Sequence, residues 1–213
     1  MAASGMPTRS KRNISSERVL SVAAHLFREH GYDATSVRQI AKAAGMKAGS
    51  LYYHYASKEI LLEAVMNRAI SALTEGVRTA LARVDTSSPF QKRIEAAITA
   101  HLGTLETYGD YIIASRQSVA ALSPNGRAEH QRLRREYSHL WRGLFEQAEA
   151  AGEIRGDIDV VAIEMFILGA LNWTSEWLDP MKKPKTYLSA VFAQFVTLGL
   201  KPYSPAHTMP KKS

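Results

Sequence analysis

Residues 36–61 constrain the fold of this chain more than any other segment. Ser36 can cap a helix whose third residue is Gln39, because the two side chains can bind each other's free backbone N–H groups in a capping box. The apolar residues that follow recur at helical spacing: Val37, Ile40, Ala41 and Ala44. Gly45 then stands where a left-handed turn residue would end a helix. The segment therefore predicts a short helix from about residue 37, followed by a tight turn.

A second short helix is expected to begin near Lys47. Its apolar anchor is Leu51, and its other positions are small or polar: Ala48, Gly49, Ser50, Tyr52, Tyr53 and His54. Small residues let a helix backbone approach base edges, and hydroxyl and imidazole groups can bind phosphate oxygens. Two short helices around a glycine are typical of a helix-turn-helix, which places its second helix in the major groove of DNA. Plain core packing of two helices produces the same pattern and is the alternative.

The run from Ile40 to Leu62 resembles the DNA-binding signature of the tetracycline-repressor (TetR) family of bacterial transcription regulators. The matching residues are Ile40-Ala41, Ala44-Gly45, Leu51-Tyr52-Tyr53-His54-Tyr55, Lys58-Glu59 and Leu61-Leu62. The resemblance implies that Ser36 and Arg38 touch a phosphate or a base edge. It also implies groove-facing residues, namely Lys47, Ala48, Gly49, Ser50 and Tyr52, and a clamp on the DNA backbone formed by Tyr53, His54 and Lys58.

The positive charge of the chain is concentrated beside this segment. The formal net charge is +7, and residues 1–60 hold nine Lys and Arg against four Asp and Glu, whereas residues 61–213 hold eighteen against sixteen. A module that binds phosphates requires such an excess, although a solvated basic face is a common alternative. The charge distribution therefore agrees with double-stranded DNA as a partner.

The rest of the chain predicts an all-α fold of about nine helices. A first helix, capped by Ser15 or Ser16, is expected to end at Gly31, and a long fourth helix to run from the Ser57 cap toward Arg83. Five further helices are expected over residues 88–107, 110–122, 123–152, 157–178 and 185–200. The predicted domains are a disordered basic arm (1–12), a helix-turn-helix DNA-binding domain (13–60), a ligand-binding and dimerisation domain (61–205) and a disordered tail (206–213).

The last two predicted helices are candidates for a homodimer interface. The first of them is apolar on nearly every side, and such a helix must be covered on more than one flank. We expect a second copy of the chain to supply one cover, with contacts from Phe166, Ala170, Leu188, Val191, Phe192 and Phe195. Two reading helices about 34 Å apart would then bind a palindromic operator. A monomer with a deep single core is the alternative.

The middle helices are expected to enclose a cavity for a small-molecule effector. Its candidate lining residues are Tyr108, Tyr111, Ile112, Arg116, Trp141, Phe145, Trp173 and Trp177, although aromatic residues at helical spacing are also ordinary core residues. The segment LNWTSEWLDP resembles the C-terminal region of TetR-type regulators of fatty-acid, steroid or aromatic-acid breakdown. That resemblance implies an acyl-CoA thioester, while the apolar lining also fits another small hydrophobic effector. We expect a repressor that releases its operator when the effector binds, because a shift of the long fourth helix would move the two reading helices out of register with the grooves.

Other classes of function are less favoured. The sequence holds no cysteine, no nucleophile elbow, no phosphate-binding glycine loop and no paired metal-ligand spacing, so we expect neither an enzyme nor a metal or cofactor. No apolar run reaches the roughly 18 residues of a membrane span, and we expect a cytoplasmic protein. An architectural DNA-binding protein without a ligand, and then an all-helical enzyme, are the alternatives to a ligand-responsive regulator.

Overall fold

The computed structural model describes residues 8–174 and 184–202, with the backbone alone for residues 8–15 and Lys185. Within these ranges the regular structure is entirely helical. The helices are α1 (Thr8–His30), α2 (Val37–Ala43), α3 (Ala48–His54), α4 (Lys58–Ala82), α5 (Phe90–Ser118), α6 (Pro124–Ala150), α7 (Val160–Trp173) and α8 (Lys185–Gly199). A 3₁₀ turn, Val119–Ala121, follows α5. The all-α prediction is confirmed, with eight helices in the described ranges where about nine were expected.

Helix α1 is longer than the sequence analysis predicts. It begins at Thr8 rather than after a cap at Ser15 or Ser16, so residues 8–12 of the predicted arm are helical. The physical reason is that residues 8–16 contain neither glycine nor proline, while Arg and Lys are good helix formers. A serine that can cap a helix does not force the helix to begin there. Residues 1–7 of the arm and the predicted tail lie outside the described residues.

Two predicted helices, 88–107 and 110–122, form the single helix α5. The chain leaves helical geometry only at Tyr108, where φ is −116° and ψ is 21°. Gly109 costs a helix about 1 kcal/mol relative to alanine, which is too little to end a helix whose next turn is well packed. In that next turn, the side chains of Tyr111 and Ala114 are buried. The expected break is therefore a kink.

The chain packs as two compact units. The first unit comprises the residues up to Ala69 together with Asp110–Arg132, and the second comprises Ile70–Gly109 together with the residues from Leu133 onward. The first unit thus contains the predicted DNA-binding domain and also the end of α5 and the start of α6. Fully buried side chains form the core of each unit: Phe27, Ile40, Leu51, Leu61 and Leu62 in the first, and Ile94, Ile98, Leu102, Trp141, Phe145 and Leu171 in the second.

Candidate nucleic-acid interface

Helix α2 begins with the capping box that the sequence predicts. The Ser36 hydroxyl accepts a hydrogen bond from the Gln39 backbone N–H at 3.2 Å, and Gln39 Oε1 accepts one from the Ser36 backbone N–H at 2.7 Å. The Ser36 hydroxyl also donates to Gln39 Oε1 at 2.7 Å. Ile40 and Ala41 bury the inner face of the helix. The cap therefore fixes where α2 starts, and it already uses the hydroxyl of Ser36.

The turn between α2 and α3 requires a glycine. Gly45 has a φ of 68°, which L side chains rarely adopt, and an added Cβ would lie 3.3 Å from Nη2 of Arg18. Its N–H donates to the Lys42 carbonyl at 3.1 Å, and the N–H of Met46 donates to the Ala41 carbonyl at 2.8 Å. These two bonds form a Schellman motif, which closes a helix end and redirects the chain. The turn thereby sets the direction in which α3 leaves α2.

The exposed surface of α3 is polar, and one apolar side chain holds the helix against the core. Leu51 is fully buried, whereas Tyr53 is 77% exposed. The side chain of Tyr53 meets the His54 ring edge to face, with the ring centroids 5.7 Å apart. Most other predicted DNA contacts in and beside these two helices are also exposed: Ser36, Arg38, Lys47, Gly49, Ser50 and Tyr52. Ala48 and His54 are half-buried. The structure thus brings nearly the whole predicted set to two short exposed helices.

The side chain of Lys58 makes hydrogen bonds within the protein. Its ammonium nitrogen lies 3.0 Å from the carbonyl oxygen of Tyr32 and 3.1 Å from that of Thr35, and 4.1 Å from the centre of the Tyr32 ring. Thr35 is itself fixed, because its hydroxyl donates to the Gly31 carbonyl at 2.8 Å. The first residue of α4 therefore holds the loop that leads into α2. The phosphate contact of Lys58 stays a prediction, because a phosphate would have to compete with these bonds for the ammonium group.

Two ionisable groups beside Lys58 keep their usual charge states at neutral pH. Burial, and then the nearby carboxylate of Glu59, raise the pKa of Tyr32 to about 12. A hydrogen bond from Ser57 lowers the pKa of Glu59. Glu59 is therefore an anion in the first turn of α4, where the helix dipole favours a negative charge.

A carboxylate in the same unit braces α1. Arg28 Nη1 donates to Asp110 at 2.5 Å, and His25 Nδ1 lies 3.0 Å from the other carboxylate oxygen. Burial acts to raise the pKa of Asp110, but the hydrogen bonds from Arg28 and His25 outweigh it and hold the pKa below its usual value. Asp110 is therefore ionised at neutral pH and ties the end of α5 to α1.

The predicted effector-lining residues divide between the two units. Tyr111, Ile112 and Arg116 belong to the first unit, whereas Tyr108, Trp141, Phe145 and Trp173 belong to the second. Trp141 and Phe145 are buried, but Arg116 and Trp173 are exposed. Trp177 lies outside the described residues. A pocket lined by the full set stays a prediction.

The predicted interface residues differ in how much of each side chain is exposed. Phe166 is 75% and Phe195 74% exposed, and Val191 is exposed as well. Ala170 and Phe192 are half-buried. Leu188 is only 3% exposed, so it packs into the core of its own chain. Spacing alone does not tell which side of α8 faces inward, and the interface contacts of all six residues stay a prediction.

A buried polar pair in the second unit was not predicted from the sequence. His101 Nδ1 on α5 lies 2.6 Å from the hydroxyl of Tyr137 on α6, and both side chains are buried. The only available signal was a histidine in the otherwise apolar helical face of residues 94–105. Its partner lies 36 residues further along the chain, which spacing cannot reveal.

The sequence matches the domains of two known protein families. Residues 19–65 match "Bacterial regulatory proteins, tetR family", and residues 87–200 match "Tetracyclin repressor-like, C-terminal domain". The HTH-type transcriptional repressor KstR2 of Rhodococcus jostii (strain RHA1) is 30% identical over 163 residues, which cover 76% of this chain and 78% of that protein.

Solved structures show the same fold. The TetR family transcriptional regulator PfmR from Thermus thermophilus is 28% identical with a TM-score of 0.77, and the match covers 86% of this chain and 99% of that one. AibR, solved in complex with isovaleryl coenzyme A and operator DNA, is 25% identical with a TM-score of 0.73 over 89% of this chain and all of that one. No helix in the described ranges is long and apolar enough to cross a membrane. The chain therefore belongs to the TetR family of bacterial helix-turn-helix transcription regulators.

Proposed function

We propose that this protein is a homodimeric repressor that binds a palindromic operator and releases it when an acyl-CoA thioester binds. The observation that carries the proposal is the polar, exposed surface of α3 mounted on the buried anchor Leu51. A helix of seven residues with one inward side chain leaves its remaining surface free for a groove. A bacterial protein with this task acts in the cytoplasm.

The proposed DNA contacts fall into two groups. Arg38, Lys47 and the exposed backbone at Gly49 and Ser50 face base edges, whereas the hydroxyl of Tyr53 and the ring of His54 contact phosphates. The large exposure of Tyr53 supports this division, because an aromatic ring left in water gains from contact with a sugar-phosphate backbone. Ala48-Gly49 offers few base contacts, so the shape of the operator adds to its recognition.

The proposed dimer interface is built from apolar stripes on α7 and α8. On α7 the exposed apolar residues are Val161, Met165, Phe166 and Trp173, and on α8 they are Tyr187, Val191, Phe195 and Leu198. The residues on α8 recur at spacings of four, four and three, so they occupy one side of that helix. On α7, Val161 and Met165 are four residues apart and Phe166 and Trp173 are seven apart, so these two pairs lie on adjoining parts of one broad face. Contiguous apolar surface of this kind marks an interface. A second copy of the chain is the proposed partner, because it supplies a second recognition helix.

An acyl-CoA thioester is the effector class that the comparisons support best. AibR, which resembles this chain in sequence and fold, was solved with isovaleryl coenzyme A and operator DNA together. An architectural DNA-binding protein without an effector is the second candidate. The two differ in one property, because only the first loses DNA when a ligand binds.

The test begins with selection of bound fragments from genomic DNA, followed by a titration of the selected duplex with full-length protein. We expect a palindromic site with half-sites about one helical turn apart and a stoichiometry of two chains per site. Isovaleryl-CoA and longer acyl-CoA thioesters are then added to the complex, with free coenzyme A as the matched control. Release by a thioester and not by coenzyme A is the expected result.

Each part of the proposal has its own contrary result. A site without twofold symmetry, bound by a single chain, rejects the homodimeric repressor. Binding that no thioester weakens rejects the acyl-CoA effector and favours the architectural alternative.

A further inference from the structure

The guanidinium of Arg18 lies over the turn between α2 and α3. Arg18 belongs to α1 and is exposed, and its Nη2 atom lies 3.3 Å from the position that a Cβ of Gly45 would take. The absence of a side chain at residue 45 leaves room for this contact. Gly45 therefore serves two purposes, since it also adopts the positive φ of 68° that the turn needs.

The charge of Arg18 is not used inside the protein. Among the residues that the structure describes, its side chain has no hydrogen bond and no ion pair. The adjacent Glu17 is occupied, because both of its carboxylate oxygens accept from Nε of Arg68, at 2.8 and 3.2 Å. Arg28, further along the same helix, is held by Asp110. The donors of Arg18 are therefore available to a molecule from outside the chain.

The turn places Arg18 beside the start of α3. Gly45 and Lys47 are two residues apart, so their Cα atoms are separated by less than about 8 Å. Lys47 directly precedes α3, and a helix in this position enters the major groove, which is about 12 Å wide. A guanidinium over Gly45 is therefore within reach of the phosphates at the edge of the groove that receives α3.

We propose that Arg18 binds a phosphate of the DNA backbone at the edge of this groove. The inference rests on the proposed function, in which α3 reads the operator, and it adds α1 to the elements that touch DNA. The planar guanidinium can donate two parallel N–H groups to one phosphate, a geometry that an ammonium group lacks. Such a contact carries no base information, so it fixes where the protein sits on the duplex.

A structural role at the end of α2 is the competing explanation. The C-terminal carbonyls of a helix carry partial negative charge, and a nearby cation stabilises them. The last carbonyls of α2 already have donors, however, because those of Lys42 and Ala41 accept from the N–H groups of Gly45 and Met46. The two roles differ in what they change: a lost phosphate contact alters the salt dependence of DNA binding, whereas a lost helix-end interaction alters the free energy of unfolding.

The test is a double-mutant cycle between protein and DNA. Full-length parent and Arg18→Gln proteins are titrated against the selected operator, with single phosphates replaced by uncharged methylphosphonates. We expect Arg18→Gln to bind selected and random duplexes alike about tenfold more weakly. The slope of log affinity against log salt should fall by about one per bound chain. One methylphosphonate in each half-site should weaken the parent by a similar factor and leave Arg18→Gln almost unaffected.

Two further variants serve as controls. Arg83→Gln removes the same charge from an exposed arginine of the second unit, and it should bind every duplex like the parent. Arg18→Lys should keep the salt slope but lose part of the affinity, because an ammonium group retains the charge without the bidentate geometry.

Unchanged affinity and slope in Arg18→Gln overturn the inference. A lower free energy of unfolding with an unchanged slope also overturns it, because that result indicates the structural role. If Arg18→Gln does not fold, the cycle is run with Arg18→Lys, and the absence of coupling to any single phosphate overturns the inference.

The same titrations distinguish this inference from the proposed function. A parent protein that binds DNA as a single chain, at sites without twofold symmetry, rejects the homodimeric repressor. Coupling of Arg18 to one phosphate of that DNA would still retain the contact. Conversely, a palindromic site bound by two chains, with no coupling at Arg18, retains the proposed function and rejects the inference.

Discussion

Lys58 places its ammonium nitrogen 3.0 Å from the carbonyl oxygen of Tyr32 and 4.1 Å from the centre of the Tyr32 ring. A lysine at this point of the TetR signature is expected to bind a DNA phosphate. The ammonium group instead satisfies backbone carbonyls in the loop before α2, including that of Thr35 at 3.1 Å. Its position therefore supports a role in orienting the reading helices.

Replacing Lys58 with Met separates the two roles. The free energy of unfolding should fall by about 1–3 kcal/mol, because two carbonyls lose a charged donor. DNA affinity should fall as well, but the slope of log affinity against log salt should not change, since no phosphate contact is lost. Thermal unfolding and anisotropy titrations at several salt concentrations measure these quantities. Lys58→Arg is the matched control, because it keeps the charge but does not fit the same carbonyls. A variant of normal stability whose salt slope drops by about one indicates a phosphate contact.

Lys47 should matter for the sequence of the operator. In Lys47→Gln we expect the affinity for the selected site to fall about tenfold, with relaxed preference at one or two base pairs, because a base-edge contact is worth about 1–3 kcal/mol. Lys92→Gln removes the same charge from an exposed position on α5 and should bind like the parent. Titrations against a set of single-base variants of the site compare the two proteins. Identical preferences in both would remove Lys47 from the recognition surface.

Two glycines should respond in opposite ways to alanine. Gly49 lies in α3 with open space where a Cβ would be added, so Gly49→Ala should stabilise the free protein by up to about 1 kcal/mol. It should nevertheless weaken DNA binding, because the methyl group separates the helix backbone from the groove. Gly45→Ala should destabilise the free protein, because φ there is 68°. Unfolding curves and DNA titrations together test the pair, and unaltered DNA binding by Gly49→Ala would place that side of α3 away from the bases.

Phe195→Asp should yield monomers. The side chain is 74% exposed within one chain, so the substitution leaves the core intact but puts a charge into the proposed interface. Sedimentation should show a single chain at micromolar concentration, and operator affinity should fall by at least about a hundredfold as the second reading head is lost. Gln131→Asp adds the same charge at an exposed site on α6 and should stay dimeric. A dimeric Phe195→Asp protein contradicts the assignment of α8.

Asp110 should make the stability of the protein depend on pH in the acid range. Its pKa in the folded protein lies below the unfolded value of about 3.9, so its contribution is fully present above that pH and is lost as pH falls through the folded pKa. Asp110→Asn should therefore be less stable than the parent at pH 7, and the difference should shrink below about pH 4. Parallel thermal melts between pH 3 and pH 7 give the comparison. A constant difference across that range would show that the carboxylate charge is not what ties α5 to α1.

Local features of this protein were predictable and distant ones were not. The Ser36–Gln39 box and the Gly45 turn depend on residues within a few positions of each other, so spacing and side-chain chemistry suffice to predict them. Lys58 meets carbonyls 23 and 26 residues away, and Arg28 meets a carboxylate 82 residues away. Such partners are set by how helices pack, and no sequence period encodes that.

The errors have physical causes of the same kind. Ser15 and Ser16 are good caps, yet the basic residues before them are also good helix formers, so α1 continues to Thr8. Leu188 and Phe195 share an apolar helix, but only packing decides that Leu188 turns inward and Phe195 outward. The exposure of the candidate residues on α3 could be predicted, because Leu51 is the one buried side chain of that helix and its position determines which side faces solvent.

The proposed dimer interface on α8, which includes the exposed Phe195, would make gene control depend on the amount of this protein in the cell. Where chains must pair before they grip DNA, the concentration of the active species rises with the square of the chain concentration at low abundance. Halving expression would then cut promoter occupancy about fourfold in the dilute limit. Such a regulator answers steeply to its own synthesis and dilution, so cell growth alone shifts the threshold at which its target genes switch on.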